Sequence, residues 1–281
     1  MKKKIILISL AVLTFLGALG FTLYPLISTH YNESHRSEIR THYEDKVMDT
    51  THAKLMEELQ KARVYNRNLT DYTQEGLLEA ENEYKNCLNL MGNGIMGYVE
   101  VPKINVQLPI YHGTNADTLE IGVGHLLGSS LPIGGSSSHS VLTAHSGMAT
   151  DKMFSDLPQI EEGDVFYLEI LGETLAYQVD QIRTVLPYDT TYLSAVAGED
   201  LCTLVTCTPF GVNTHRLLVR GTRIPYEEAV EIQEEIEAVT EPASTWEQHY
   251  VRGILFGIGG SVFLLLLGYT LWKGWKKHHD H

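Results

Sequence analysis

The strongest nucleophiles of this 281-residue chain are three cysteines, at positions 87, 202 and 207. They are too few for a disulfide scaffold and lack the close Cys/His spacing of a structural zinc site. Cys207 stands apart by its surroundings. It ends the β-rich run Thr203-Leu204-Val205-Thr206-Cys207, after which Thr208-Pro209-Phe210-Gly211 turns the chain. A cysteine at a strand end is presented at the rim of a rigid scaffold, where substrates arrive. Arg216 follows in Asn213-Thr214-His215-Arg216, where the chain re-enters a β-rich run. If the turn brings that run back as the neighbouring strand, a permanent cation comes close to the sulfur. It can then stabilise negative charge on a reacting carbonyl. Thiol attack on an amide also needs a proton donor for the leaving amine, and histidine suits that task near neutral pH. His145 is the best placed, closing the run Val141-Leu142-Thr143-Ala144 and entering Ser146-Gly147. Spacing alone does not bring His145 to Cys207, and an unpaired buried cysteine is the competing reading.

The other titratable residues read as structural. Cys202 lies five residues before Cys207, an odd separation that points the two to opposite faces of a regular strand, so Cys202 belongs to the core. Cys87 falls in a helical region. His125 is expected to structure a loop, and His112, His139 and His215 to be surface or packing histidines near turns. Asp180 and Asp189 are possible orienters of His145, with no spacing to choose between them. Glu161, Glu162 and Asp164 form an acidic turn that reads as solvated, since a calcium site takes about six to eight oxygens from a defined loop. The His278, His279, Asp280, His281 tail reads as solvated too. The sequons at Asn32 and Asn68 are too short a pattern to carry meaning.

The elements that would position these side chains change character along the chain. Between residues 33 and 62, Ile39, Tyr43, Val47, Leu55, Leu59 and Ala62 trace one helical face among charged neighbours, which predicts one or two amphipathic helices. A further helix is expected from Glu75 to Leu90. From Gly94 the pattern becomes short β-rich runs between turn clusters: Ile95–Ile104, Gln107–Tyr111, Ser140–Ala144, Val165–Ile170, Leu175–Val185, Leu201–Thr206 and Leu217–Ile224. Such a series predicts a β-sandwich or a closed barrel. Tyr226 to Thr240 is an acidic helical segment, followed by the linker Glu241-Pro242-Ala243-Ser244.

Both ends are apolar. Residues Ile5 to Ile27 carry no charge and follow Lys2, Lys3 and Lys4, which predicts an uncleaved anchor with a cytoplasmic amino end rather than a signal peptide. A second run, Ile254 to Trp272, precedes Lys273, Lys276 and Lys277. Two crossings leave the segment between them outside. The whole chain has a net charge of −14, from 21 basic and 35 acidic residues. Setting aside the six flanking lysines and Asp280 leaves about −19 between the anchors. So acidic a surface is a poor ligand for nucleic acid.

Together, Cys207, His145 and Arg216 resemble the sortases, membrane-anchored cysteine transpeptidases of Gram-positive bacteria. The family signature Thr-Leu-X-Thr-Cys, followed by Arg, stands complete in Thr203, Leu204, Thr206, Cys207 and Arg216. Leu142-Thr143-Ala144-His145 matches the family's Leu-Thr-X-His. The stretches Asn93-Gly94-Ile95-Met96-Gly97-Tyr98, Gly124-His125-Leu126 to Ser130-Leu131-Pro132-Ile133-Gly134-Gly135, and Thr208-Pro209-Phe210-Gly211 look like the class C, pilin-polymerising branch.

The resemblance implies an all-β closed barrel with an N-terminal helical extension and a transmembrane helix at each end. The expected order is a cytoplasmic N-terminus (1–4), an anchor (5–27), an extracellular helical region (28–92) and the barrel domain (93–225). An acidic helix and linker (226–253), a second transmembrane helix (254–272) and a cytoplasmic tail (273–281) complete it. It further implies cleavage of an LPXTG-like sorting signal between Thr and Gly through a Cys207 thioester. Arg216 would hold the oxyanion, His145 would move the proton, and Thr206 would support the site. The acyl group would pass to a pilin lysine or a cell-wall precursor amine, with no cofactor or metal. Partners are then proteins with sorting signals, and membrane lipid. Two departures are visible. Asp71-Tyr72 lacks the proline of the Asp-Pro-aromatic lid motif, and Ala144 and Ser146 stand where the branch often has Gly and Arg. A cell-wall-anchoring sortase, a hydrolytic peptidase on the same barrel, and a non-catalytic adhesion scaffold are the rival readings.

Overall fold

The β-rich part of the chain folds into eight strands: β1 (Ile95–Val101), β2 (Val106–His112), β3 (Val123–His125), β4 (Ser138–Thr143), β5 (Val165–Ile170), β6 (Glu173–Val185), β7 (Asp200–Thr208) and β8 (His215–Ile224). The computed structural model describes residues 2–69, 76–146, 151–239, 250–260 and 263, and no side chains at 2–4, 7, 8, 10–12, 14, 76–80, 237 and 239. The strands close into a barrel in the order β1-β2-β3-β4-β7-β8-β6-β5. Closure leaves no open sheet edge. Only β2–β3 and β4–β7 pair in parallel among these neighbours. The expected closed all-β barrel is therefore present.

Two strand expectations need correction. The run Ile95–Ile104 ends early, because Pro102 has no N–H for a ladder and opens a 3-10 turn over Pro102–Ile104. The sequence pattern does not announce β3, which is three residues long and holds a glycine at its centre. Gly124 is needed there, since a Cβ would meet the Gly113 carbonyl oxygen at 2.4 Å. The parallel step from β2 to β3 is made by the short helix α4 (Ala116–Ile121), whose first turn is capped by Asn115 Oδ1 accepting from Thr118 N at 3.0 Å.

Alternation along the strands divides the residues cleanly. Leu142, Cys202, Leu204 and Val219 point inward to the main core with Phe166, Leu168 and Tyr177. Val141, Val205 and Leu218 form a second, smaller cluster, with Val185. These lie on the opposite, outer face of β4, β7 and β8.

Helices clothe the barrel. The amphipathic stretch is the end of α1 (Lys2–Asp49) and the whole of α2 (His52–Asn68), separated where Thr51 adopts an extended backbone. Tyr43 is fully buried with Ile95 and Tyr98, and its hydroxyl donates to the Met96 carbonyl at 3.1 Å. Leu59, Ala62 and Tyr65 of α2 join the main core. Burying a side chain of that size stabilises the fold by roughly 1.5–3 kcal/mol. The next helix, α3, runs Gly76–Asn86. The acidic helix α5 (Tyr226–Val239) sets Ala229 and Ile232 against Val165, Tyr167 and Ala176.

The chain divides into two compact units, Ile27–Ala243 on one hand and Met1–Leu26 with Ser244–His281 on the other. In the second, residues 5–26 are helical as part of α1, residues 250–260 are helical, and the Tyr250 hydroxyl donates to the Thr22 carbonyl at 3.0 Å. Among the described residues no helix is long and apolar enough to cross a membrane. Of the run 254–272 only residues 254–260 and 263 are described.

Candidate active site

The site grows from the register of three neighbouring strands. β4 and β7 run parallel with a constant offset: Ser138 lies beside Asp200, and Thr143 beside Val205. The pairing continues past the end of β4, where Ala144 N donates to the Val205 carbonyl at 3.1 Å and Thr206 Oγ1 donates to the Ala144 carbonyl at 2.9 Å. His145 is thus the residue that comes abreast of Cys207. On the other side, β7 and β8 are antiparallel and Cys207 is directly paired with Arg216. Directly opposed residues on neighbouring strands share a face, with Cβ atoms about 4.5–5.5 Å apart. Cys207 and Arg216 therefore share one face at the rim of the barrel, and His145 stands two residues past the last β4–β7 pair, as Cys207 does.

Burial distinguishes the three thiols. Cys202 is fully buried and Cys87 nearly so, whereas Cys207 is half-buried. Burial pushes the Cys87 thiol up to about 11, with the Glu58 and Glu83 carboxylates adding to it, and holds Cys202 well above the ordinary thiol range. Both remain protonated and inert; Cys207 alone is both reachable and flanked by groups with a use for it.

Backbone carbonyls hold both Arg216 and the segment at His145. The Arg216 Nη1 donates to the His215 carbonyl at 3.0 Å and to the Asn213 carbonyl at 3.3 Å. No carboxylate pairs with it among the described residues, so its positive charge is not neutralised. The His145 carbonyl accepts from Phe154 N at 3.0 Å, and Phe154 is fully buried. The segment carrying Phe154 is pinned in turn. Arg36 of α1 makes a bidentate pair with the buried Asp151, and Lys152 Nζ donates to the Ile104 carbonyl at 2.5 Å.

Several sequence expectations are corrected here. Asp180 is not an orienter of His145: it accepts from Arg220 at 3.0 and 2.7 Å and from Thr222 at 2.9 Å. Asp189 accepts from Thr191 N and is turned to solvent. No carboxylate pairs with His145 among the described residues. The acidic turn is not simply solvated, because Lys103 Nζ lies 2.8 Å from the buried Asp164 and 2.7 Å from Glu161. A lysine 58 residues away in sequence supplies the cation. Among the described residues no group of His, Cys, Asp and Glu could hold a metal ion.

Of the histidines expected at the surface or in packing, His112 and His139 are packing residues. His125 does structure its loop, fully buried with Nε2 against the Ser130 carbonyl at 2.8 Å. His139 is no surface residue: it lies on β4, 2% exposed. His112 is half-buried between the Gly94 and Cys87 carbonyls. Asp71 and Tyr72, the departure from the lid motif, lie outside the described residues.

Comparisons with known proteins bear on the family of this chain. A family model described as Sortase domain matches residues 99–224. Sortase C1 of Streptococcus agalactiae is similar in structure, at 45% identity and a TM-score of 0.63 over 67% of this chain and 98% of that one. Sortase C of Streptococcus pneumoniae is similar at 42% identity and a TM-score of 0.60, over 67% of this chain and 97% of that one. Sortase D of Bacillus subtilis is 33% identical over 131 residues, which is 46% of this chain and 63% of that protein. The chain spans less than two thirds of the length of the curated relatives it matches. With a matching domain model and near-complete coverage of solved class C enzymes at over 40% identity, the chain belongs to the sortase family of cysteine transpeptidases.

Proposed function

We propose that this chain cleaves an LPXTG-like sorting signal between Thr and Gly and passes the acyl group to an amine, in the first place a lysine of another pilin subunit. The observation that carries the reading is the pairing of Cys207 with Arg216, beside a β4–β7 register whose continuation by two residues sets His145 alongside Cys207. In the first half-reaction the Cys207 sulfur attacks the threonyl carbonyl carbon and its proton passes to His145. The developing oxyanion lies against Arg216, which stabilises it through N–H donors aimed at one oxygen. The C–N bond then breaks, His145 returns the proton to the glycine amine, and a thioester remains on Cys207. In the second half-reaction the acceptor amine attacks the thioester carbonyl, gives a proton to His145 and expels the thiolate, which is reprotonated. Dividing the exchange through a covalent intermediate is what lets an amine take the place of water.

Thr206 supports the site by tying the end of β7 to the residue before His145. A solved relative from Streptococcus pneumoniae is described in terms of pilin substrate specificity, which favours a pilin lysine as acceptor. The test is acceptor dependence with a sorting-signal peptide. A lysine-bearing pilin segment should give an amide-linked product. Acid product alone points to a hydrolase, and amide only with a peptidoglycan-precursor amine points to wall anchoring.

The same reading places the enzyme at the outer face of the cell membrane, held by the uncharged runs 5–27 and 254–272 with their flanking lysines inside. Protease added to intact cells should remove the barrel and leave both lysine-flanked termini protected. Release of the whole chain by alkaline carbonate would contradict two crossings.

A further inference from the structure

Carboxylates are abundant in this chain, and they neutralise cations across it. Arg36, Arg40, Lys61, Lys103 and Arg220 each pair with one. Arg63 and Arg67 of α2 do not. Both are exposed, and among the described residues no hydrogen bond or ion pair reaches either guanidinium. They stand one helical turn apart on the same face, where like charges weaken the helix rather than support it. Nothing in the folded chain offsets that cost.

Both guanidiniums line a groove of about 490 Å³. Gln60 and Asn66 of the same helix face line it too, and the loop 133–138 that enters β4 forms the opposite wall. The two walls are tied at their base by Asn66, whose Nδ2 donates to the Leu131 carbonyl at 3.2 Å and whose Oδ1 accepts from Leu131 N at 2.7 Å. The loop is fixed from behind by Asp200, which accepts from Gly135 N at 2.8 Å and from the Tyr177 hydroxyl at 3.0 Å. Gly134, at a φ of +64°, lets the loop close on that carboxylate, since a Cβ there would meet Asp200 Oδ2 at 2.7 Å. No carboxylate lines the groove. On the loop side stands Ser136, whose hydroxyl makes no hydrogen bond among the described residues. β4 runs from Ser138 at the groove to Thr143 just before His145, so at about 3.3 Å per residue the two ends lie about 20 Å apart along the strand.

The chemistry of this lining is that of an anion site. One guanidinium fork satisfies a planar carboxylate, whereas two forks on one wall and a hydroxyl-bearing loop on the other suit a tetrahedral oxyanion. The volume falls within the range of about 300–1,000 Å³ typical of small-molecule sites. A bare phosphate would leave most of it empty, so the anion carries a body. The amide of Gln60 and the hydroxyl of Ser136 suit a hydroxylated body rather than an apolar one. We propose that this groove binds a phosphate ester of a polyol or sugar, with Arg63 and Arg67 on the phosphate and Gln60 and Ser136 on the hydroxyl groups. The site is separate from the reaction at Cys207 and does not rest on it.

Calorimetric titration of the full-length protein tests this without turnover, using glycerol 1-phosphate, glucose 1-phosphate, inorganic phosphate, glycerol and an acidic peptide as probes. At least one of the two esters should bind one to one with a Kd of about 1 mM or below, and inorganic phosphate about tenfold more weakly. Arg63→Gln and Arg67→Gln should each weaken the ester about tenfold, and the double variant should abolish binding. Lys54→Gln, an exposed site on α2 outside the groove, should change nothing. The two arginines make no contact that folding depends on, so all these variants should melt like the wild type. Monomeric dihexanoyl phosphatidylglycerol identifies the source of the ester. Tighter binding than glycerol 1-phosphate assigns it to a lipid headgroup and weaker binding to a soluble or polymeric ester, and the phosphate–polyol site stands in both cases. The proposal is overturned by no saturable binding of either ester, or by binding that survives the double variant. Inorganic phosphate binding as tightly as the esters overturns it too, as does an acidic peptide binding more tightly than they do, which gives the groove to a protein partner.

Discussion

At the scale of single residues the account depends on what each side chain of the site can do that its nearest substitute cannot. Arg216 offers a planar fork of donors and a permanent charge, and two backbone carbonyls hold it without cancelling that charge. Arg216→Ala should lower kcat/KM by about 10²–10³-fold, and Arg216→Lys, which keeps the charge but not the fork, should recover only part of it. Steady-state rates with a sorting-signal peptide decide this; full activity in the lysine variant would mean that charge alone suffices. Thr206 acts one step away. Its hydroxyl donates to the Ala144 carbonyl while the residue itself is 1% exposed, so Thr206→Val preserves shape and removes one buried bond. The expected cost is about 1 kcal/mol in stability. A several-fold loss of kcat with KM little changed should accompany it, since the bond sets His145 against Cys207. Unchanged kcat would reduce Thr206 to strand packing. The Cys–Thr–Arg part of this site was legible in the sequence because turn residues separate two β-rich runs. The seat of His145 was not, because a parallel pairing between β4 and β7 joins segments more than 60 residues apart, and no local pattern encodes that register.

At the scale of elements, the helical extension does more than cover the barrel. Arg36 of α1 reaches the segment that bonds the His145 backbone, and its partner Asp151 is 1% exposed. Removing one member of a buried pair strands the other charge, at a cost of about 3–5 kcal/mol. Arg36→Gln should therefore lower Tm by about 6–15 °C. Arg36→Met combined with Asp151→Leu should restore most of it, because neither charge is left behind. Thermal melts of the three proteins test this, and an unchanged Tm in Arg36→Gln would show the pair to be unimportant. Such long-range pairs explain where reading by element type falls short. The amphipathic face of Ile39, Tyr43, Val47, Leu55, Leu59 and Ala62 was visible as a period, and it is the face that packs. Lys103 against Asp164 was invisible, since Asp164 sits in a turn whose composition reads as solvated and Lys103 near the end of a run that reads as strand. β3 was hidden for a different reason: its glycine is selected by the approach of another backbone, against strand propensity.

At the scale of the whole molecule, folding fixes the protonation of a histidine far from the chemistry. His125 is fully buried, with the Tyr84 hydroxyl 2.9 Å from Nδ1 and the Ser130 carbonyl 2.8 Å from Nε2, and desolvation lowers it from 6.5 to about 4. The unfolded chain binds that proton at higher pH than the folded one does. The contribution of His125 is therefore fully present above about pH 6.5 and is lost on acidification toward pH 4, by at most about 1.4 kcal/mol per unit. Denaturant midpoints should fall more steeply over that window in the wild type than in His125→Asn, and parallel slopes would contradict the assignment. The account as a whole comes down to the covalent state of one sulfur. Intact-protein mass spectrometry of enzyme incubated with a sorting-signal peptide should show the peptide acyl fragment ending in threonine on Cys207, labile to hydroxylamine and discharged by a lysine amine. An adduct on Cys87 or Cys202, or product formed by Cys207→Ala, would contradict it.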